Sequence, residues 1–196
     1  MNKTTISWII AGILIAIVVF GGISVYNKLV IMEEGVNGQW ANVENQYQRR
    51  SDLIPNLVAT VKGYASHESE TLENVIAARS RATQVNVDPE KLTPEKLQEF
   101  QAAQGQLSSA LGRLLMITEN YPDLKANENF RDLQVQLEGT ENRISTERMR
   151  FNEASKGFNT AIRRFPNNII ASIFNFERKV YFEAEEGSNK APEVQF

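Results

Sequence analysis

The chain predicts an all-α protein: an N-terminal transmembrane helix followed by an up-and-down bundle of long helices. Three observations carry that prediction. Residues 6–25, ISWIIAGILIAIVVFGGISV, form a 20-residue run without a charged side chain. The remainder repeats apolar residues at steps of three and four over long distances, the spacing of a helix face packed in a bundle. Turn-forming residues are scarce, with 11 glycines and 6 prolines among 196 residues.

A 20-residue helix spans roughly 30 Å, the thickness of a bilayer's hydrocarbon core. Trp8 lies near one end of the run and Tyr26 just past the other, at the levels where amphipathic rings favour the interfaces. Gly22-Ile23-Ser24 offers small residues for signal cleavage, but the apolar run exceeds the 7 to 15 residues or so of a signal peptide. A retained anchor is therefore expected, with residues 1–5 as its tip, 6–26 as the span, 27–176 as the bundle and 177–196 as a tail. Lys3 stands on one side and Lys28 on the other, tilting the prediction toward an inside N-terminus and an extracytoplasmic body. Within the span, Gly12 and Ala16 form a small-xxx-small pair that permits close helix approach.

No turn signal separates Val25 from Leu29, so the first body helix continues the membrane helix. Its apolar face runs through Val36, Trp40, Val43, Tyr47, Ile54, Leu57, Val61 and Tyr64, and Leu72, Val75 and Ile76 prolong the register. Pro55 interrupts it. Ser51 or Asp52 could cap a new helix there, yet no residues are available for a reversal. A kink near Pro55 is expected, giving three long helices, or four if the first is split. Gln84 to Pro94 is a connector, after which Thr93 caps a helix with Pro94 in its first turn. That helix buries Leu97, Phe100, Leu107, Leu111, Leu114 and Tyr121. A third opens near Asn127, where Phe130, Leu137, Ile144, Phe151, Phe158 and Phe165 stand seven apart. Pro166 stops it, and the apolar piece 169–176 precedes an acidic tail.

Lengths then pose a packing problem. Residues 28–83 as one helix would span about 84 Å, whereas the following two would span about 40 and 57 Å. The stripe Val36, Trp40, Val43 and Tyr47 is left without an evident cover. Either the chain folds back at Pro55 or the stripe meets another molecule, a second copy being the first expectation and an envelope protein the second.

Composition excludes several functions. Net charge is −3 and pI about 5.4, which does not suit a nucleic-acid surface. Phosphate-loop glycines are absent, and no small-molecule substrate is indicated. Without cysteine there are no disulfides, thiolate metal sites or cysteine nucleophile. His67 is the single histidine, and Thr71 stands where a zinc motif needs a second. Glu68, Glu70 and Glu73 read as a solvated helix face rather than an acid/base pair. No catalytic, cofactor or metal residue is expected. Polar groups on the core stripe (Arg50, Glu68, Gln104, Thr118 and Glu147) read as structural specification, Arg50 either pairing with a carboxylate or reaching water at the bundle's edge.

The residues after the span are similar to the LemA family of bacterial membrane-anchored proteins. The similarity begins at Tyr26-Asn27-Lys28-Leu29-Val30 and is strongest over Arg49-Arg50-Ser51-Asp52-Leu53-Ile54-Pro55-Asn56-Leu57-Val58. Val61 to Ala65, His67-Glu68, Asn152, Phe158-Asn159, Arg164 to Asn168, Ala171, Phe182 to Ala184, Pro192, Val194 and Phe196 extend it. Phe158 stands where a tyrosine is frequent, and Asn175 where glycine is expected. The resemblance implies a long-helix bundle behind one N-terminal span, with no established activity and no catalytic residues to transfer. It also implies a role in envelope maintenance, because members are often encoded near envelope proteins that include membrane zinc proteases of the stress response. Arg49, Arg50, Asp52, Pro55 and Asn56 are expected to specify the fold rather than hold a ligand. Function is accordingly expected to be that of a self-associating, membrane-shaping scaffold at the cell envelope, with an adaptor for a membrane protease or sensor as the alternative. Phe174 joins the Trp40 stripe as a candidate contact for partners.

Overall fold

A computed structural model describes residues 3–183. The described residues form six α-helices and one 3-10 turn: α1 (Lys3–Tyr64), α2 (Ser69–Gln84), the turn Pro89–Lys91, α3 (Pro94–Thr118), α4 (Pro122–Ala126), α5 (Glu128–Arg163) and α6 (Asn167–Ile173). Positions 184–196, including Ala184, Pro192, Val194 and Phe196, lie outside the described residues.

One 62-residue helix, α1, comprises both the apolar span and the first body helix. At 1.5 Å per residue it is about 93 Å long. It alone among the described residues is long and apolar enough to cross a membrane, and its most apolar 18-residue window is wholly uncovered by the rest of the chain. The helix runs through Pro55 without interruption. The chain reverses instead at residues 65–68, and α2 returns along α1, so Arg79 meets Ser51 and Gln104 of α3 meets Ala82. Neither the split nor the fold-back expected at Pro55 occurs, and the expected single helix over 28–83 is a helical hairpin. Both arms face one core, so the same three-four spacing continues across the turn and conceals it.

The membrane-distal half is a four-helix arrangement of α1, α2, α3 and α5. Here Ile54, Leu57, Val61, Leu72, Val75, Leu107, Leu111, Leu114, Phe130 and Leu137 form one apolar cluster. The cap read from sequence is present, Thr93 Oγ1 accepting from Lys96 N at 3.3 Å; where the third long helix was expected to open, Asn127 Oδ1 caps it by accepting from Phe130 N at 3.0 Å.

The membrane-proximal half is built differently. There α2 has ended, and α1 packs with α5, α6, the first turns of α3 and the extended segment 176–183. Trp40 is completely buried at the centre, stacked on Phe182 at 5.7 Å and set against Phe100 and Phe151 at 5.4 and 5.5 Å. Val36, Trp40, Val43 and Tyr47 therefore belong to the chain's own core, not to an uncovered stripe. The helix-length comparison misjudged them because part of the cover, the side that carries Phe182, is not a helix. An extended segment rises about 3.3 Å per residue, so eight residues line some 26 Å of α1.

The heptad series of α5 is buried from Phe130 to Phe158, but its sixth member departs. The helix ends at Arg163, and Phe165, beyond the register, is 81% exposed. It precedes Pro166 through a cis peptide bond.

Candidate functional site

Two constructions stand out, one at mid-bundle and one at the foot of the body. The first is assembled by the block from Arg49 to Val58. Helical periodicity divides it into two faces: Arg50, Ser51, Ile54, Leu57 and Val58 point inward, whereas Arg49, Asp52, Pro55 and Asn56 are exposed. Asp52 accepts a 2.7 Å hydrogen bond from Gln48, and the Asn56 carbonyl accepts from Thr60 Oγ1.

Arg50 is only 1% exposed. Its Nη1 donates to Glu141 Oε1 at 2.8 Å and to Ser108 Oγ at 2.9 Å, and its Nη2 donates to Gln104 Oε1 at 2.6 Å. The guanidinium also lies 5.1 Å from the Tyr47 ring centroid. Gln104 passes the network on, Nε2 donating to the Ala82 carbonyl. One buried cation thus joins α1, α3 and α5 directly and α2 through Gln104. Pairing with a carboxylate is the outcome, and Gln104 is buried beside it as its place on the core stripe suggested. Nothing in this geometry activates a nucleophile or presents a free acid. Its acceptors are consumed in holding the guanidinium.

The other polar stripe positions serve the distal end. The Glu68 carboxylate accepts from Tyr121 Oη at 2.9 Å, which holds the Tyr121 phenol above its usual range. Glu147 instead pairs with Arg150 on its own helix at 2.7 Å. His67 is exposed in the turn between α1 and α2. Among the described residues no three of His, Cys, Asp or Glu converge as a metal site.

The foot depends on two asparagines that sequence reasoning noted but gave no role. Asn159 Nδ2 donates to the Lys179 carbonyl at 2.7 Å while its Oδ1 accepts from Lys179 N at 2.8 Å. Asn152 holds both backbone groups of Phe182 in the same way, at 2.9 and 2.8 Å. Seven helical residues rise about 10.5 Å and three extended residues about 10 Å, so the two clamps stay in step. Each carboxamide replaces the neighbour that an extended strand would otherwise need. Lys179 adds an ion pair with Glu33 at 2.7 Å.

The segment enters this groove through a tight reversal after α6. Phe176 N donates to the Ala171 carbonyl at 3.0 Å, and Asn175 adopts φ 56°. That left-handed conformation is the one glycine provides most easily and asparagine tolerates. It explains why glycine is the expected residue there.

Of the span residues, Trp8, Gly12 and Ala16 are exposed and Val25 is partly buried. The Ile6 side chain lies outside the described set. Tyr26 packs on Phe174 and Phe176 at 4.6 and 5.8 Å between ring centroids. Phe174 itself remains 53% exposed.

Fold and sites together define a class of all-helical protein: a bundle whose spine is prolonged into an uncovered apolar helix, with buried polar junctions and no assembled catalytic group among the described residues. The chain belongs to the LemA family, which matches residues 39–196. It is 27% identical over 175 residues to magnetosome protein MamQ 2 of Paramagnetospirillum magneticum, covering 81% of this chain and 64% of that one. Identity to MamQ of Magnetospirillum gryphiswaldense is 28% over 174 residues, covering 80% and 64%. The protein LemA of Metamycoplasma hominis is 25% identical over 160 residues, covering 82% and 69%. The chain thus spans a little under two thirds of the MamQ relatives it matches.

Proposed function

We propose that this protein is a non-catalytic, single-pass scaffold of the bacterial cell membrane that self-associates and holds a polar helical body at a set distance from the bilayer. The observation that carries the reading is the continuity of α1 from Lys3 to Tyr64. A span and a spine in one helix transmit orientation between membrane and body, which a flexible linker cannot do. Relatives named as magnetosome proteins support a membrane-associated role for the family.

Self-association is not carried by the Trp40 stripe, which is internal. The span is the better candidate, because Gly12 and Ala16 share one uncovered face and nothing crowds Gly12. Light scattering of the full-length chain in mild detergent tests this. A multimer is expected, and Gly12→Leu with Ala16→Leu should reduce it to a monomer. A wild-type chain that is strictly monomeric would sink self-association.

An adaptor role is the second reading, favoured by an open groove of about 810 Å³ between α2 and α3. Glu70, Asn74, Arg81, Gln106, Ser109 and Arg113 line it with groups suited to a polar segment of another protein. Photocrosslinking in cells from position 109 separates the readings: bands to a foreign protein favour the adaptor, and self-crosslinks favour the scaffold. The body is placed outside the cytoplasm in both. Digestion of an epitope at the C-terminus in intact spheroplasts is the expected result, and protection would reverse the orientation.

A further inference from the structure

The underside of the body carries an apolar face that its own packing does not explain. Phe165 is 81% exposed, Ile169 50%, Ile173 63% and Phe174 53%. Ile169 and Ile173 lie one turn apart on one face of α6, while Ile170 and Ala171 turn the other way, toward the bundle. A helix of seven residues that is apolar on both faces has one face more than the bundle uses.

Its depth is given by α1. The Ile170 side chain reaches to 3.5 Å from where a Cβ would stand on Gly22. Gly22 belongs to the charge-free run and precedes Val25 by three residues, about 4.5 Å of helix. The foot therefore reaches a level at which α1 is still apolar and exposed. Helices that lie in a membrane surface bury their apolar face by about 5–10 Å. The Gly22 level falls just short of that range, at the shallow edge of such a layer.

Charge suits that layer. Residues 160–176 contain Arg163 and Arg164 and no acidic side chain, although the chain as a whole is net negative at −3. Both arginines are exposed, as is Lys28 just above Tyr26. Basic groups ringing an apolar face suit phosphate headgroups above and acyl chains below.

We propose that Phe165, Ile169, Ile173 and Phe174 form a monotopic foot that lies in the interfacial layer of the leaflet on the body side, as a second membrane contact beside the span. With a rod alone, the body would be free to tilt and to turn about the helix axis. The foot adds an off-axis contact, seated on α1 through the Gly22 gap, so the bundle stands on the bilayer with one side down. This placement rests on α1 crossing the bilayer, and the experiment reads the two separately.

The chain has no cysteine, so single-cysteine variants carry one nitroxide each. Ile169→Cys, Ile173→Cys, Trp8→Cys and Met116→Cys are labelled in the full-length chain and reconstituted into phosphatidylcholine–phosphatidylglycerol bilayers. All four described positions are exposed, so labelling does not disturb the core. Collision with oxygen is compared with collision with a water-soluble nickel chelate. For Ile169 and Ile173 the oxygen-to-nickel ratio should exceed that at Met116 several-fold and approach that at Trp8. A Trp8 label inside the bilayer with aqueous Ile169 and Ile173 labels would overturn the foot alone. An aqueous Trp8 label would overturn the span and the foot together. Low collision with both reagents at Ile173 would assign the face to another protein surface, such as a second copy, and would also overturn the proposal.

Discussion

Arg79 Nε donates a 2.8 Å hydrogen bond to the Ser51 carbonyl, the acceptor that Pro55, four residues on, has no N–H to reach. A proline inside a helix frees one carbonyl, and here α2 fills it. The proline neither splits nor turns the chain. It creates a docking point for the returning helix, and Ser51 is buried at that point.

This pairing predicts a coupled effect. Arg79→Met should cost about 1–3 kcal/mol, the penalty of leaving a buried acceptor unsatisfied. In a Pro55→Ala background, where the alanine N–H can take the carbonyl, the same change should cost much less. Urea unfolding of the four proteins in one detergent decides the matter. Additive effects would mean that Arg79 acts only through packing.

The Arg50 junction predicts an asymmetry. Glu141→Leu leaves a buried guanidinium short of its anionic partner and should cost about 2 kcal/mol, less than a fully buried pair because the Glu141 side chain is 41% exposed. Removing both partners, as Arg50→Met with Glu141→Leu, should recover part of that loss because no buried charge remains. A double variant less stable than the sum of the singles would contradict this account.

Release of the extended segment should be visible at Trp40. Asn159→Leu removes both hydrogen bonds to Lys179 and should cost about 1–3 kcal/mol. In a Trp8→Phe background, Trp40 fluorescence should shift to the red as Phe182 leaves its ring. Protease cleavage within residues 176–183 should rise in parallel. Unchanged emission and cleavage would show that the aromatic packing holds the segment without the clamp.

Glu44 gives a prediction in pH. Burial raises its carboxyl above the usual 4.5, opposed more weakly by the Trp40 indole one turn earlier, whose N–H does not reach hydrogen-bonding geometry. A raised folded pKa means that Glu44's contribution is present below the unfolded value and lost as pH rises through the folded one. Glu44→Gln should therefore raise Tm at neutral pH, and the gain should shrink toward nothing as pH falls below about 4. A gain that is constant with pH would assign the effect to packing instead.

The legible parts of this molecule are those decided locally. Thr93 and Asn127 cap helices because a short oxygen-bearing side chain beside free N–H groups does so in any context. The heptads from Phe130 to Phe158 lie in the core because constant spacing keeps them on one face. The reversal at 65–68 was not legible, for Ala65-Ser66-His67-Glu68 has neither glycine nor proline, and the apolar spacing runs on through it. A signal for the Arg79 contact was nevertheless present, since a mid-helix proline always leaves the carbonyl four residues earlier in need of a donor. The paired asparagines of α5, seven apart on a heptad face, were a similar signal for a partner offering backbone groups.

By itself the sequence determined an all-helical chain with an uncovered apolar span, a continuous join to the body, and an arginine on the core stripe whose burial it left open. Charge, length and periodicity suffice for these, because each depends on residues within a few turns of one another. Only the tertiary structure decided that the Trp40 stripe is interior, that Pro55 docks α2 rather than bending away from it, and that α6 stands level with Gly22. Those facts depend on which distant backbone comes to lie alongside α1, and an extended segment held by two asparagine side chains leaves no periodic trace from which that could be read.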